Sequence, residues 1–144
     1  MKKLELNFKA IYVFIGVLYM FLSASLFAKG LMNSMSEFKV PDLVLQSAHY
    51  YDAILWVYVH MIVIGLLILL LGISVTDFNK QKWISSILFL VTSFYTYLDF
   101  KSADWTYGNS LYQGESSLIP GIIGLIVNIL FLYNAISLFK SSDK

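Results

Sequence analysis

His60 is the side chain in this sequence that is best placed to do chemistry. It follows Asp52 by eight residues and Trp56 by four, so on a helix the three lie along one stripe. His60 would then lie about 12 Å beyond Asp52 along the helix axis. An ionisable group inside an apolar helix is a candidate for ligand binding or proton transfer, because its burial is costly. The predicted ligand-binding residues are His60, Trp56, Tyr95, Asp99 and Asp52.

A structural role for His60 is the alternative interpretation. A neutral imidazole could hydrogen-bond to Ser23, Thr92 or Tyr95 on a neighbouring helix, a contact that contributes about 0.6–2 kcal/mol. A metal site is disfavoured, because di-metal bundles use paired Glu-x-x-His motifs and further Glu. Here His49 and Asp52 give only one partial match. We therefore predict no metal and no cofactor.

Aromatic and acidic residues continue into the segment between the last two apolar stretches. A belt of Trp and Tyr at the headgroup level explains many of the aromatics, but not those inside a loop. We predict that these loop residues contact the headgroups, the mouth of the bundle or a partner. They are Asp104, Trp105, Tyr107 and Tyr112.

The residue types that are missing exclude several chemistries. The chain has no Cys, which excludes disulfides, thiolate catalysis and iron–sulfur clusters. All ten basic residues are Lys, so no Arg can clamp phosphate or carboxylate with two hydrogen bonds. No nucleophile–base pair, phosphate-binding loop or dinucleotide fingerprint is present. We predict a non-catalytic protein, although an enzyme acting on a lipid stays open.

The composition requires lipid around the elements that carry these residues. Hydrophobic residues make up 58% of the chain and charged residues 13%, against about 25% charged in soluble domains. Four stretches without Asp, Glu or Lys are long enough, or nearly so, to cross a bilayer. We predict an all-α, integral membrane four-helix bundle that forms a single domain, 1–144. Its helices cover approximately 9–29, 50–75, 82–100 and 118–140.

The distribution of Lys predicts the orientation in the membrane. Seven of the ten Lys lie at the two ends of the chain and in the short link between the second and third stretches. Three lie in the two longer connections. We predict cytoplasmic N- and C-termini and two longer outer loops. The start also resembles a signal peptide, but its apolar run extends to Ala28, which favours an uncleaved first helix.

Small residues recur within the apolar stretches. Gly65 and Gly72 lie two turns apart, and Gly121 and Gly124 precede Asn128 in the last stretch. Small residues let helices approach closely and polar ones bond across the contact, so we predict packing roles. The alternative is that Gly121 and Gly124 leave open space opposite His60, which would form a pocket.

The chain resembles the small bacterial four-helix membrane proteins of the DoxX-like kind. The resemblance lies in its size, its four predicted helices, its predicted cytoplasmic termini and the segment Ile11–Leu22, IYVFIGVLYMFL. The resemblance is one of architecture and carries no residue roles. It implies the cytoplasmic membrane of a bacterium.

Three functions are compatible with these residues. The first is an accessory or subunit-type membrane protein that acts through its outer loops or a helix face. The second is a binder or enzyme for a lipid- or quinone-like molecule in a pocket around His60. The third is a small oligomeric transporter or channel. The expected partners are membrane lipids and a larger membrane protein or further copies of the chain; a net charge of +1 gives no reason to expect nucleic acid.

Overall fold

The chain folds into four long helices. The structure is a computed structural model, and it describes residues 2–30, 43, 46–103 and 118–142. The helices are α1 (Lys2–Lys29), α2 (Ala48–Ser74), α3 (Phe78–Ala103) and α4 (Ile119–Ser142). Each contains a segment that is long and apolar enough to cross a membrane. The predicted all-α fold with four membrane-length helices is confirmed, and the protein is a small multi-pass membrane protein. The cytoplasmic position of the termini stays a prediction.

The helices pack as two antiparallel pairs. α1 lies along α2, α3 lies along α4, and a contact between α1 and α4 joins the pairs. The bundle has a turn end and a far end. The turn end carries the short α2–α3 connection, and the far end carries Lys29, Ala48, Lys101 and Ile119.

Glycines set the distance between α1 and α2. A Cβ added to Gly16 would lie 2.7 Å from the Gly65 carbonyl oxygen and 2.8 Å from the Leu69 nitrogen. A Cβ at Gly72 would lie 2.6 Å from the Tyr12 Cβ. Contacts this short are possible only without side chains, so the predicted packing role of Gly65 and Gly72 is confirmed, and Gly16 has the same role. Glycine has a different role at the end of α1. Gly30 follows the helix and adopts a φ of 82°, which residues with a Cβ rarely adopt.

Aromatic rings fill the junction between the two pairs. Phe8 stacks on Tyr12 with ring centroids 4.0 Å apart, and Tyr12 meets Phe131 of α4 edge-on at 5.3 Å. Ile15 and Val127 are fully buried in the same cluster. Since lipid offers tails as apolar as these side chains, close packing rather than the hydrophobic effect holds this junction together.

The α2–α3 connection is a turn built by polar groups. The Asp77 carboxylate accepts a hydrogen bond from the Lys80 backbone N–H at 2.8 Å, which is the arrangement of a helix N-cap. The Gln81 side-chain amide donates to the Val75 carbonyl at 2.9 Å and so closes the end of α2. The turn therefore couples the end of one helix to the start of the next.

Asp77→Ala is expected to remove this cap and destabilise the protein by about 1 kcal/mol. For a chain of this length, that corresponds to a melting temperature lowered by about 2–4 °C in detergent. Asn79→Ala, at an exposed position in the same turn of α3, is the control and should have little effect. Equal melting temperatures for the two variants would contradict the capping role.

Candidate functional site

Trp56 and His60 form a pair on the exposed side of α2. Their ring centroids are 5.6 Å apart, and His60 Nδ1 lies 2.7 Å from the Trp56 carbonyl oxygen. Trp56 is 63% exposed, and His60 is exposed as well. The sequence placed these residues on one stripe, and the structure brings them together there.

The location of His60 along α2 makes this exposure unusual. It lies twelve residues after Ala48 and fourteen before Ser74, so it sits near the middle of a helix that can cross the membrane. Ionisable residues at such positions normally face the interior of a bundle or a partner. The ring of His60 instead faces away from α1, the helix against which α2 packs.

The hydrogen bond seen for His60 is local rather than between helices. Of the three partners suggested by the sequence, Thr92 accepts from Asn128 at 3.1 Å. Ser23 is fully buried and its hydroxyl has no hydrogen-bond partner, and Tyr95 is 62% exposed. The alternative of a packed, interhelical His60 therefore finds no support in the observed bond to its own helix.

The other predicted ligand-binding residues divide between the surface and the interior. Asp52 and Tyr95 are exposed on α2 and α3, respectively. Asp99 is partly buried at the far end, where its carboxylate lies beside Gly124 of α4 and near Tyr19 of α1. Ligand binding by this set stays a prediction. The predicted loop contacts of Asp104, Trp105, Tyr107 and Tyr112 lie outside the described residues.

The glycines of α4 do not leave the open space that the alternative interpretation required. A Cβ at Gly121 would lie 3.0–3.2 Å from atoms of the Phe100 ring. A Cβ at Gly124 would lie 2.9 Å from the Thr96 hydroxyl oxygen. Side chains of α3 thus occupy the space beside both glycines, and the glycines serve the packing of α3 on α4.

A buried polar cluster joins three helices nearer the turn end. The Ser85 hydroxyl of α3 donates to the Gln81 carbonyl at 2.8 Å. It lies 3.0 Å from the Tyr12 hydroxyl of α1 and 3.2 Å from the Asn134 amide nitrogen of α4. Because the Ser85 proton is used on Gln81, Tyr12 and Asn134 act as the donors. We call Tyr12, Ser85 and Asn134 the three-helix cluster.

A second polar cluster joins α3 and α4 near the middle of the bundle. The Asn128 side-chain nitrogen lies 3.0 Å from the Phe89 carbonyl oxygen, 3.1 Å from Thr92 Oγ1 and 2.7 Å from Ser93 Oγ, and its two protons are shared among these three acceptors. The predicted role of Asn128 in bonding across helices is confirmed. In both clusters the hydroxyl groups are engaged in bonds that hold helices together.

Sequence reasoning missed the α3 half of these clusters. Ser85, Thr92 and Thr96 recur at intervals of seven and four residues, so they share one face of α3. Hydroxyl residues with this spacing in an apolar helix indicate a polar seam, and this signal was available in the sequence. Each hydroxyl alone is unremarkable, because Ser and Thr commonly bond to their own helix.

Within the described parts of the four helices, no group of three or more His, Asp or Glu side chains is arranged to hold a metal ion. The oxygen atoms that come together do so at the helix interfaces, where hydroxyls and side-chain amides from different helices meet.

The sequence matches no protein-family model, no curated protein and no solved structure. The resemblance to the DoxX-like proteins therefore stays a prediction.

Proposed function

We propose that the protein is a non-catalytic accessory subunit that binds a larger membrane protein through one face of α2. The α2 face consists of exposed residues that follow one another at helical spacing: Trp56, His60, Val63, Leu67 and Leu70. The single observation that supports the proposal is the exposure of His60 near the middle of this membrane-length helix.

The hydrogen bond of His60 defines what the partner offers. A carbonyl oxygen can only accept, so Nδ1 carries the proton in the bond to Trp56. In the neutral ring Nε2 is then an acceptor on an exposed side chain. Lipid tails have no donor for it, whereas a membrane helix carrying Ser, Thr, Asn, Gln or Trp has one. The chemistry of His60 thus fits a protein partner better than bare lipid.

The buried side of α2 packs within the chain. Tyr58, Gly65, Ile68 and Gly72 are its buried residues. Gly65 and Gly72 contact α1, and Tyr58 meets Phe27 of α1 with ring centroids 5.6 Å apart. A partner helix therefore has the opposite side of α2 on which to pack, with Trp56 supplying a large apolar area.

A photoreactive phenylalanine derivative at position 67 is expected to form a discrete protein adduct in membranes of the source organism. Leu67 is 55% exposed on the α2 face; Leu90, 65% exposed on α3, is the control position. Adding His60→Leu should weaken the association about 3- to 18-fold, because interhelical hydrogen bonds contribute about 0.6–1.7 kcal/mol. Mass spectrometry of the adduct and quantification of its yield are the measurements.

The competing functions give different outcomes in this experiment. Adducts of lipid mass alone at position 67, again reduced by His60→Leu, would replace the proposal with a lipid- or quinone-like ligand. Adducts between two copies of the chain would indicate a homo-oligomer. Equal yields at positions 67 and 90, with no effect of His60→Leu, would refute a specific role for the α2 face.

A further inference from the structure

A basic and aromatic cluster lies at the turn end of the bundle, on α3 and α4. The Lys82 ammonium nitrogen lies 4.8 Å from the ring centroid of Phe139 on α4 and 6.0 Å from that of its neighbour Trp83. The rings of Trp83 and Phe139 meet edge-on with centroids 6.5 Å apart, and both are exposed. We call Lys82, Trp83 and Phe139 the Lys82 cluster. It belongs to a different helix pair from the α2 face.

The two rings attract the Lys82 ammonium but leave its hydrogen-bond donors available. An ammonium group has three N–H donors, and a ring face attracts its charge without accepting as an oxygen does. Within the described residues, Lys82 has no ion pair with a carboxylate. The nearest acidic residue along the chain, Asp77, accepts from the Lys80 backbone N–H. The ammonium can therefore donate to an anionic group from outside the chain.

The cluster lies at the depth at which lipid headgroups are expected. Lys82 is the fifth residue of the candidate span Phe78–Lys101, and Phe139 lies two residues before the end of the candidate span in α4. Lys side chains near the ends of membrane helices extend to the interface, and Trp prefers the same level. Lys140 follows Phe139, is exposed, and adds a second positive charge at this end.

Exposed apolar side chains continue from the cluster toward the middle of the membrane. Ile87 lies one turn after Trp83 on α3, and Ile136 lies about one turn before Phe139 on α4. The two rows begin side by side, because the rings of Trp83 and Phe139 are in contact. A positive charge at the interface, next to two apolar rows, is complementary to an amphiphile with a negative headgroup and hydrocarbon tails.

We propose that the Lys82 cluster binds the headgroup of an acidic phospholipid. The lipid phosphate accepts from the Lys82 ammonium, and an acyl chain packs along Trp83 and Ile87. Lys82 and Lys140 favour a headgroup with a net negative charge, and they repel the choline or ethanolamine cation of a zwitterionic lipid. Free phosphate offers the same oxygens but nothing to cover the exposed apolar rows, so the lipid is the better match.

The test is the quenching of Trp83 fluorescence by phospholipids with brominated acyl chains. Trp56→Phe and Trp105→Phe leave Trp83 as the only tryptophan of the full chain. This parent is reconstituted in phosphatidylcholine vesicles with a fixed fraction of phosphatidylglycerol in both leaflets, so its orientation does not affect the result. Either lipid carries the bromine in turn. The association constant at Trp83 is expected to favour phosphatidylglycerol by about 5- to 25-fold, since each Lys near the surface contributes a factor of about 5.

Substitutions at Lys82 separate this site from the general attraction of a basic surface. Lys82→Gln is expected to lower the preference about fivefold, whereas Lys82→Arg keeps the charge and the contact with the rings and should retain it. Lys140→Gln, at an exposed position, should lower the preference in the same way. Melting temperatures in detergent check that each variant is folded.

Lys80→Gln is the matched control. Lys80 is exposed in the same turn of α3, but it lies about 200° around the helix from Lys82. Its removal should change the preference by less than about twofold, because an exposed charge on the other side is screened. Equal quenching by the two lipids in the parent would overturn the proposal. A preference that survives in Lys82→Gln, or that falls as much in Lys80→Gln, would overturn it as well.

Discussion

Gly16→Leu is expected to force α1 away from α2 and to destabilise the protein by about 3 kcal/mol or more. The added Cβ alone would lie within 2.7–2.9 Å of the Gly65 carbonyl oxygen, the Leu69 nitrogen and the Leu69 Cβ. None of these atoms is the flexible end of a side chain, so the helices themselves must move. Inserting bulk into a packed contact typically costs about 1–3 kcal/mol, and here the obstruction is mostly backbone.

The smaller change Gly16→Ala tests the same contact, because its helix propensity and its steric clash have opposite effects on stability. Alanine favours a helix over glycine by about 1 kcal/mol, so without a clash this substitution would stabilise α1. We expect a lower melting temperature instead. Ala24→Leu adds comparable bulk at an exposed position of α1 and is the control. Gly16→Ala with a raised melting temperature, or Ala24→Leu as damaging as Gly16→Leu, would refute the close approach.

Ser85→Ala is expected to destabilise the protein by about 2–3 kcal/mol through the three-helix cluster. Removing this hydroxyl takes the acceptor from both the Tyr12 hydroxyl and the Asn134 amide. Both residues are at most 1% exposed, so no water can replace the lost acceptor. Each buried donor without a partner costs about 1–3 kcal/mol, with membrane interiors at the lower end. The measurement is reversible unfolding in mixed micelles.

Ser86 provides a matched control one residue away. Its hydroxyl donates only to the Lys82 carbonyl of its own helix in the observed bonding, so Ser86→Ala should change the stability by less than about 0.5 kcal/mol. Combining Ser85→Ala with Tyr12→Phe removes one donor together with its acceptor. The double variant should therefore lose less than the sum of the single changes. Strict additivity would show that the two hydroxyls do not act on each other.

The four helices could be predicted because a segment that crosses a membrane is a long apolar stretch with few charged residues. Stretches without charge mark the spans, and the structure has a helix at each. The third charge-free stretch is shorter than the helix that contains it. Lys82 and Asp99 mark the ends of the stretch, whereas α3 covers Phe78–Ala103. Its candidate span also has the lowest mean hydropathy of the four, 1.2, since it carries the polar seam that faces α4 and α1.

The surroundings of His60 were harder to predict, since spacing places residues on a stripe without saying which way the stripe faces. The direction follows from the glycines. At about 100° per residue, Gly65 lies roughly 140° and Gly72 roughly 120° around the helix from His60. Once these glycines are assigned to the α1 contact, His60 must point away from α1. The angular positions of His60 and of the two glycines can be calculated from the sequence, but only the structure shows that the glycines contact α1.

The depth of the polar clusters was visible in the sequence, but their partners were not. Asn128 could be placed mid-helix and expected to bond to another helix. That it meets Thr92 and Ser93 depends on the relative rotation and register of α3 and α4. Gly121 and Gly124 contribute to that register by admitting Phe100 and Thr96, and such a fit between two surfaces is not encoded in the spacing of either helix alone.

The pairing of α1 with α2 and of α3 with α4 has a consequence for how the protein is made. Each pair joins segments that are neighbours in the chain, so the first pair can form as soon as α2 has entered the bilayer. The contacts of α1 with the second pair form later; they include the edge-on contact of Tyr12 with Phe131 of α4 and the hydrogen bond between Tyr12 and Ser85 of α3. Until α3 has been made, Tyr12 of α1 lacks its Ser85 partner. A substitution that prevents α3 from packing on α4 would leave the pair of α1 and α2 assembled, with the surface of α1 around Tyr12 uncovered.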